Sequence, residues 1–334
     1  MKTNQIMLQG RIKRMDYKFN KTKDGREFVS ASFTLCVNEN EIRVESFSMR
    51  YKKDGNELSS YQGLVTLFNE AKCLHKTVKK VNMEKAEVVE DETIVENIED
   101  ADALDCGNYK VRYTKFEDNS YEREGQLVKN TRIQTTYPRR VDFEKKEYTP
   151  KADFEISGKV KTKPRTTEKP DGTEYMVFEI TVPEYIEAWV EGGRPEQVKL
   201  QDITVVSYDE DAWEYIEDNF EVGSFAYLNG EIIRKVMRVE KPTIDDEGRG
   251  FGRKVKQEVQ YDTKIDERFE IMGGYLLDSD EIELEKAFNE ELWLQAEQQQ
   301  PKQEKTPEIE KTWGRKETKV KEETKSRNDD IVPF

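Results

Sequence analysis

The chain repeats itself. Leu8-Gln9-Gly10-Arg11-Ile12-Lys13 opens a segment that runs to Asp24-Gly25-Arg26-Glu27-Phe28-Val29-Ser30-Ala31-Ser32-Phe33-Thr34-Leu35. About 147 residues later, Ile156-Ser157-Gly158-Lys159-Val160-Lys161 leads to Asp171-Gly172-Thr173-Glu174-Tyr175-Met176-Val177-Phe178-Glu179-Ile180-Thr181-Val182. A repeat constrains the fold more tightly than composition does, because two stretches of different sequence must suit one architecture.

Each copy has the pattern of a β-hairpin. Ile6, Leu8, Gly10 and Ile12 alternate with Met7, Gln9, Arg11 and Lys13, and Phe154, Ile156, Gly158 and Val160 alternate with Glu155, Ser157, Lys159 and Lys161. Period-two patterning puts one face in a core and the other in water. Asp-Gly then supplies a turn, since glycine accepts positive φ. In the returning strands Val29, Ala31, Phe33 and Leu35 match Met176, Phe178, Ile180 and Val182 as the inward face. The glycine in each first strand marks the bend by which a small barrel closes.

Third strands are expected at residues 42–49 and 200–208. Amphipathic helices follow, with Leu58, Tyr61, Val65 and Phe68 on one face in the first copy and Trp213, Ile216 and Phe220 in the second. Fourth and fifth strands are expected at 109–116 and 127–136 in the first copy, and at 223–232 and 269–272 in the second. Strand-strand-strand-helix-strand-strand is the order of the OB-fold, a barrel that binds oligonucleotides on one face. The expected class is all-β: two tandem OB-folds as separately closed barrels with separate sheets, and a disordered C-terminal tail. The expected boundaries are 1–150 with an exposed acidic insert at 79–104, 151–274, a helical segment at 275–297, and a linker with a docking tip at 298–334.

Composition removes several alternatives. No apolar run approaches the roughly 20 residues needed to cross a bilayer, and the start lacks the apolar stretch of a signal peptide. A cytoplasmic protein is expected. Three widely spaced cysteines predict no disulfide framework, and Cys73 with the lone His75 cannot fill a zinc site, so neither metal nor cofactor is expected. The net charge of −15 is unevenly spread. Residues 1–80 carry 16 Lys and Arg against 9 Asp and Glu, whereas 81–104 carry 1 against 9. Local fields attract phosphates, so a basic face on the first copy is compatible with the overall sign.

The sequence ends Asn328-Asp329-Asp330-Ile331-Val332-Pro333-Phe334 after a long run poor in apolar residues. Two carboxylates, a few apolar side chains and a terminal Phe form a compact ligand for a pocket greasy at its base and basic at its rim. This end resembles the acidic tip of bacterial single-stranded DNA-binding proteins, although Val332 separates Ile331 from Pro333. The stretch from Ala212 through Gly223-Ser224-Phe225-Ala226-Tyr227-Leu228-Asn229-Gly230 is similar to the helix and following Gly-x-x-hydrophobic-x-x-Gly strand of the same family. The tandem barrels look like a phage or mobile-element version. The resemblance implies a non-enzymatic protein that coats single-stranded DNA and recruits replication, recombination and repair enzymes through Asp329, Asp330, Ile331, Val332, Pro333 and Phe334.

Such proteins hold phosphates in a cationic groove and stack bases on exposed aromatics. The alternation turns Phe28 and Tyr175 outward at matching places in the repeat, which makes each a stacking candidate or the floor of a loop. Arg11, Lys13, Arg14 and Lys18 surround Tyr17 and Phe19, and Arg43, Arg50, Lys52 and Lys53 flank Tyr51. Lys159, Lys161, Lys163 and Arg165 form the set in the second copy, with Tyr227 a further aromatic. Lys169-Pro170-Asp171-Gly172 matches the Lys-x-Asp-Gly pattern of nucleotidyltransferases. It falls where the hairpin turn is expected, without room for a nucleotidyltransferase domain, and no complete catalytic set is present. A protein-interaction hub and an RNA-binding OB protein remain alternatives.

Overall fold

In the computed structural model the described residues are 4–52, 55–81, 87–107, 114–119, 121–123, 126–128, 131–144, 148–186, 197–240 and 261–278. The linker, the tip at 329–334 and Lys53 lie outside them.

The first half opens with an antiparallel meander of β1 (Asn4–Lys21), β2 (Glu27–Val37) and β3 (Asn40–Met49). Its inward residues Ile6, Leu8, Ile12, Val29, Phe33, Leu35, Ile42 and Val44 are all buried. Each such side chain contributes about 1.5–3 kcal/mol by leaving water. Helix α1 (Ser59–Glu70) follows. It buries Ser60, Leu64 and Leu67, with Tyr61 and Phe68 partly covered. The buried stripe is therefore turned slightly from the expected one.

Next come β4 (His75–Lys79), β5 (Glu87–Val88), β6 (Ala103–Cys106), β7 (Thr114–Asp118), the hairpin of β8 (Tyr121–Arg123) and β9 (Gln126–Val128), β10 (Thr131–Thr135) and β11 (Arg139–Arg140). β10 runs parallel to β3 and antiparallel to β7, while β6 pairs with β1. This is the OB route, with the fourth-strand role divided between β6 and β7.

The second half contains β12 (Lys151–Val160), β13 (Arg165–Glu168), β14 (Glu174–Ile186), β15 (Gln197–Ser207), α2 (Glu210–Asn219), β16 (Phe225–Glu240) and β17 (Tyr261–Leu276). β12 pairs with β14 and β16, β14 with β15, and β16 with β17. Val206 of β15 meets Glu270 of β17 in parallel, closing the ring. Ile216 of α2 and Phe220 at its C-cap are buried, and Trp213 Nε1 donates to the Ser207 carbonyl at 3.3 Å.

The two hairpin turns match bond for bond. Thr22 N–H donates to Arg26 O (2.8 Å) and Gly25 N–H to Thr22 O (2.9 Å), with Gly25 at φ 82°. Lys169 N–H donates to Thr173 O (2.9 Å) and Gly172 N–H to Lys169 O (3.0 Å), with Gly172 at φ 85°. The bends at the strand glycines are close approaches: a Cβ would stand 2.8 Å from Cys36 O at Gly10 and 2.3 Å from Thr181 O at Gly158. No larger residue fits there without moving backbone.

Several expectations are corrected. Separate sheets do not occur, because β1 pairs antiparallel with β12 from Asn4↔Ile156 to Gln9↔Lys151. Of that half of β1 only Leu8 and Gln9 also pair with β6, and a free strand edge leaves backbone groups unsatisfied. The buried cores also merge into one cluster across both halves.

The fourth strand of the first half begins at Ala103, inside the expected insert, and the fifth is Thr131–Thr135. Of the expected fourth strand, residues 109–113 lie outside the described residues. The insert is not all exposed loop. Ile94 bridges to Cys73, and Asp91 and Thr93 serve the buried Lys76, whose Nζ also donates to Phe68 O at 2.7 Å. At 275–297, the first two residues end β17, and residues 279–297 lie outside the described residues.

Candidate nucleic-acid interface

A single irregularity in β1 builds the outer face of the first barrel. The register against β2 shifts between Ile12 and Arg14. A bulge of one residue reverses which side chains face the core. Before it the even-numbered residues are buried, and after it Met15 and Tyr17 are. Asp16 and Lys18 therefore point outward beside Ser30 and Ser32 of β2.

With Arg43, Glu45 and Phe47 of β3, Thr77 and Lys79 of β4, and Arg132 and Gln134 of β10, they line a groove of about 510 Å³. Glu117 of β7 also lines it, and of its three carboxylates Glu45 and Asp16 are engaged. Glu45 lies 3.2 Å from Arg43 and 2.9 Å from Arg132, and Asp16 accepts from Thr77. Arg43 Nε also donates to Ser32 Oγ at 2.9 Å, while much of its guanidinium remains exposed. Among the described residues, Lys18 and Lys79 have no ion-pair partner.

At one end of the groove Phe28 and Phe47 meet with ring centroids 5.2 Å apart, and Phe47 is 46% exposed. The arrangement presents ammonium groups for phosphates next to an aromatic surface for a base. Phe47 was legible in principle. Ile42 and Val44 point inward, so strict alternation puts Phe47 outward.

The other expected residues of the first half separate from this groove. Tyr17 is 3% exposed and packs on Phe19, Phe33 and Phe68, so it cannot stack on a base. Burial pushes its phenol up, with Cys73 adding to the shift. Phe19 covers Phe68 at the edge of the core. Arg11 donates to Ala101 O at 2.6 Å and lies over Phe143 and Tyr148, both at 5.2 Å. Lys13 is held by Glu41 at 2.5 Å, and exposed Arg14 lies 3.5 Å from Asp16.

Arg50 clamps Glu27 (2.6 Å) and Glu57 (2.9 Å) and covers Tyr51 at 5.0 Å. Its hydrogen bond, with that of Lys21, holds the Glu27 carboxyl below its ordinary value. Tyr51 and Lys52 are exposed at the end of β3. A roomier cleft of about 750 Å³ beside β4 has Glu90, Asp91 and Glu92 in its wall, which suits an anion poorly.

The second half keeps the aromatics and changes the charges. Tyr175 stacks on Tyr208 with centroids 5.7 Å apart at 27°. Lys169 Nζ lies 4.8 Å from the Tyr208 ring centre and 5.8 Å from that of Tyr175, and Arg268 lies 4.9 Å over Tyr208. The Lys-x-Asp-Gly string is thus a hairpin turn that delivers Lys169 to an aromatic pair. The Thr173 N–H donates to Asp171 and holds its carboxyl below the usual range.

Lys161 is bound by Asp202, with Glu179 at 3.7 Å. Lys159 is half-buried, and Lys163 and Arg165 are exposed. They do not share one strand, because the chain leaves β12 after Val160 and resumes pairing at Arg165. Pro164 between them has no N–H to give a ladder. Tyr227 meets Tyr275 of β17 at 5.2 Å, and not Tyr175.

In overall fold the chain is similar to the single-stranded DNA-binding protein of Thermus aquaticus, at 11% identity and a TM-score of 0.44, over 82% of this chain and 93% of that one. It is also similar to a Plasmodium falciparum SSB in complex with ssDNA, at 14% identity and a TM-score of 0.25, over 38% and 95%. A small single-stranded DNA-binding protein from Streptomyces coelicolor gives 15% identity and a TM-score of 0.23, over 39% and 96%. No curated protein matches the sequence. The family model described as YorF matches residues 2–312, and the chain belongs to that family.

Proposed function

We propose that this protein is a non-enzymatic single-stranded DNA-binding protein of a phage or mobile element, working in the host cytoplasm. The observation that carries the reading is the outer face of the first barrel. There the Phe28–Phe47 pair adjoins Lys18 and Lys79, and of the groove's three carboxylates Glu45 and Asp16 are engaged by Arg43, Arg132 and Thr77. Phosphates released from their counterions would sit on the lysines and Arg43, and an unstacked base on the phenylalanines. Duplex DNA offers no free base face, so the site favours single strands.

The chemistry of residues 329–334 supports a second role, recruitment of replication, recombination and repair enzymes. Asp329 and Asp330 followed by Ile331, Val332, Pro333 and Phe334 suit an apolar pocket with a basic rim.

A titration with oligo-dT of graded length at rising salt tests the first role, with matched RNA as competitor. Tight binding that weakens with salt and prefers DNA is the expected result. Absence of binding, or binding indifferent to salt, overturns it.

A further inference from the structure

The two halves can be compared position by position through their ladders. Val29 pairs with Ser48, and Met176, its counterpart in the repeat, with Ser207. Thr34 pairs with Arg43, and Thr181 with Asp202. Counted along the same strands, Phe28 corresponds to Tyr175, Ser32 to Glu179 and Arg43 to Asp202. Lys18 faces Ser30 as Arg165 faces Val177.

The aromatic position is thus kept, while Ser32, Arg43 and Glu45 of the first groove give way to Glu179, Asp202 and Thr204 in the second, which exchanges one cation and one anion for two anions. These carboxylates take up the nearest cation: Asp202 bonds Lys161 and Thr181 Oγ1 (2.8 Å), and Glu179 stands 3.7 Å from Lys161. The ion pairs are partly buried, so added salt screens them less than exposed ones. A phosphate entering this groove would have to displace Asp202 or lie beside it.

The hairpin end of the same face differs. Tyr175 and Tyr208 are stacked there, with the Lys169 ammonium over both rings.

We infer that the two barrels hold single-stranded DNA by different means. The first takes phosphates and bases. The second takes bases on Tyr175 and Tyr208 and excludes the phosphate backbone from its groove through Glu179 and Asp202. This rests on the proposed function and adds specificity-determining residues to it.

Salt dependence separates the two contributions, since each phosphate contact on a single strand adds about 0.7 to the slope of log affinity against log salt. Oligo-dT long enough to reach both barrels is titrated at several salt concentrations. Lys18→Ala with Lys79→Ala should flatten the slope by about 1.4. Tyr175→Ala should weaken binding about 5- to 150-fold at every salt concentration and leave the slope unchanged. Glu179→Gln with Asp202→Asn preserves shape, frees Lys161 and should steepen the slope by about 0.7. Glu179→Ser with Asp202→Arg, which installs the first barrel's residues, should steepen it further. Circular dichroism checks that each variant is folded.

Failure of the wild-type protein to bind oligo-dT overturns the function and this inference together. Wild-type binding with a Tyr175→Ala variant that binds as tightly, or with a slope unchanged by Glu179→Gln and Asp202→Asn, overturns the inference alone.

Discussion

Ile6 of β1 pairs with Phe154 of β12, the residue that holds its own place in the second copy of the repeat. An antiparallel ladder centred on two equivalent residues has a local two-fold axis through that pair. The contact is the kind that two identical subunits make with the same patch on each. Here both patches belong to one chain. Phe154 lies 5.8 Å from Phe116 of the first barrel and 6.2 Å from Phe269 of the second, centroid to centroid.

The barrels should therefore lose stability together. Phe154→Ala removes a fully buried ring at the junction and is expected to cost about 3–5 kcal/mol. Calorimetry should show the whole transition moving to lower temperature. A shift confined to one of two separate transitions would mean that the halves fold independently.

On the first barrel's outer face, Phe28→Ala and Phe47→Ala should each weaken oligo-dT binding by about 1–3 kcal/mol. Because the rings touch, the double variant should lose less than the sum of the two. A double-mutant cycle by fluorescence titration measures the difference, and strict additivity would place the two rings on different bases.

Among the described residues, nothing forms a hydrogen bond with the buried Tyr17 hydroxyl. Tyr17→Phe should raise stability by about 1 kcal/mol, since it removes an unsatisfied polar atom without changing the ring. Urea denaturation measures this, and oligo-dT affinity should not change. A loss of affinity would show that the side chain reaches DNA.

Burial pushes the Cys73 thiol up to about 11. The unfolded chain loses this proton near the ordinary value of 9.0, while the folded chain keeps it. The unfolded state is therefore favoured as pH rises, and stability falls between about 9 and 11. Cys106 and Tyr17 shift in the same direction. Denaturant midpoints across this range should decline less steeply for Cys73→Ala than for the wild type, though from a lower start.

Removing residues 329–334 should abolish capture of host replication and repair proteins and leave DNA affinity equal or higher. The detached carboxylates no longer compete with phosphates on their tether. Phe334→Ala should impair capture nearly as much. Equal recovery by intact, truncated and Phe334→Ala tails would make the tip inert.

What the sequence revealed, and what it hid, follows from the range of the interactions involved. Strand alternation and the Asp-Gly turns are local, so the inward faces from Ile6 to Ile12 and from Met176 to Val182 were legible in full. Tyr17 was misplaced because one bulged residue in β1 reverses the alternation, and nothing near Lys13 announces it. Lys79 was assigned to the start of an acidic insert, although as part of β4 it joins the groove. That placement depends on parallel pairing with β1, a contact between distant segments. The repeat sets Phe28 and Tyr175 at matching places. Alternation alone turns Phe47 outward, but that it meets Phe28, and that Tyr208 meets Tyr175, required knowing the register of the third strands. The meeting of β1 with β12 depends on two strand edges finding each other, which leaves no periodic mark.

The local two-fold at Ile6 and Phe154 also bears on how such a protein can change. In an assembly of identical single-barrel chains every substitution appears on both sides of the axis, so a carboxylate placed in one groove is placed in all. Joining the copies in one chain removes that constraint. Arginine can stand at position 43 while aspartate stands at the corresponding position 202, and each groove is open to selection on its own.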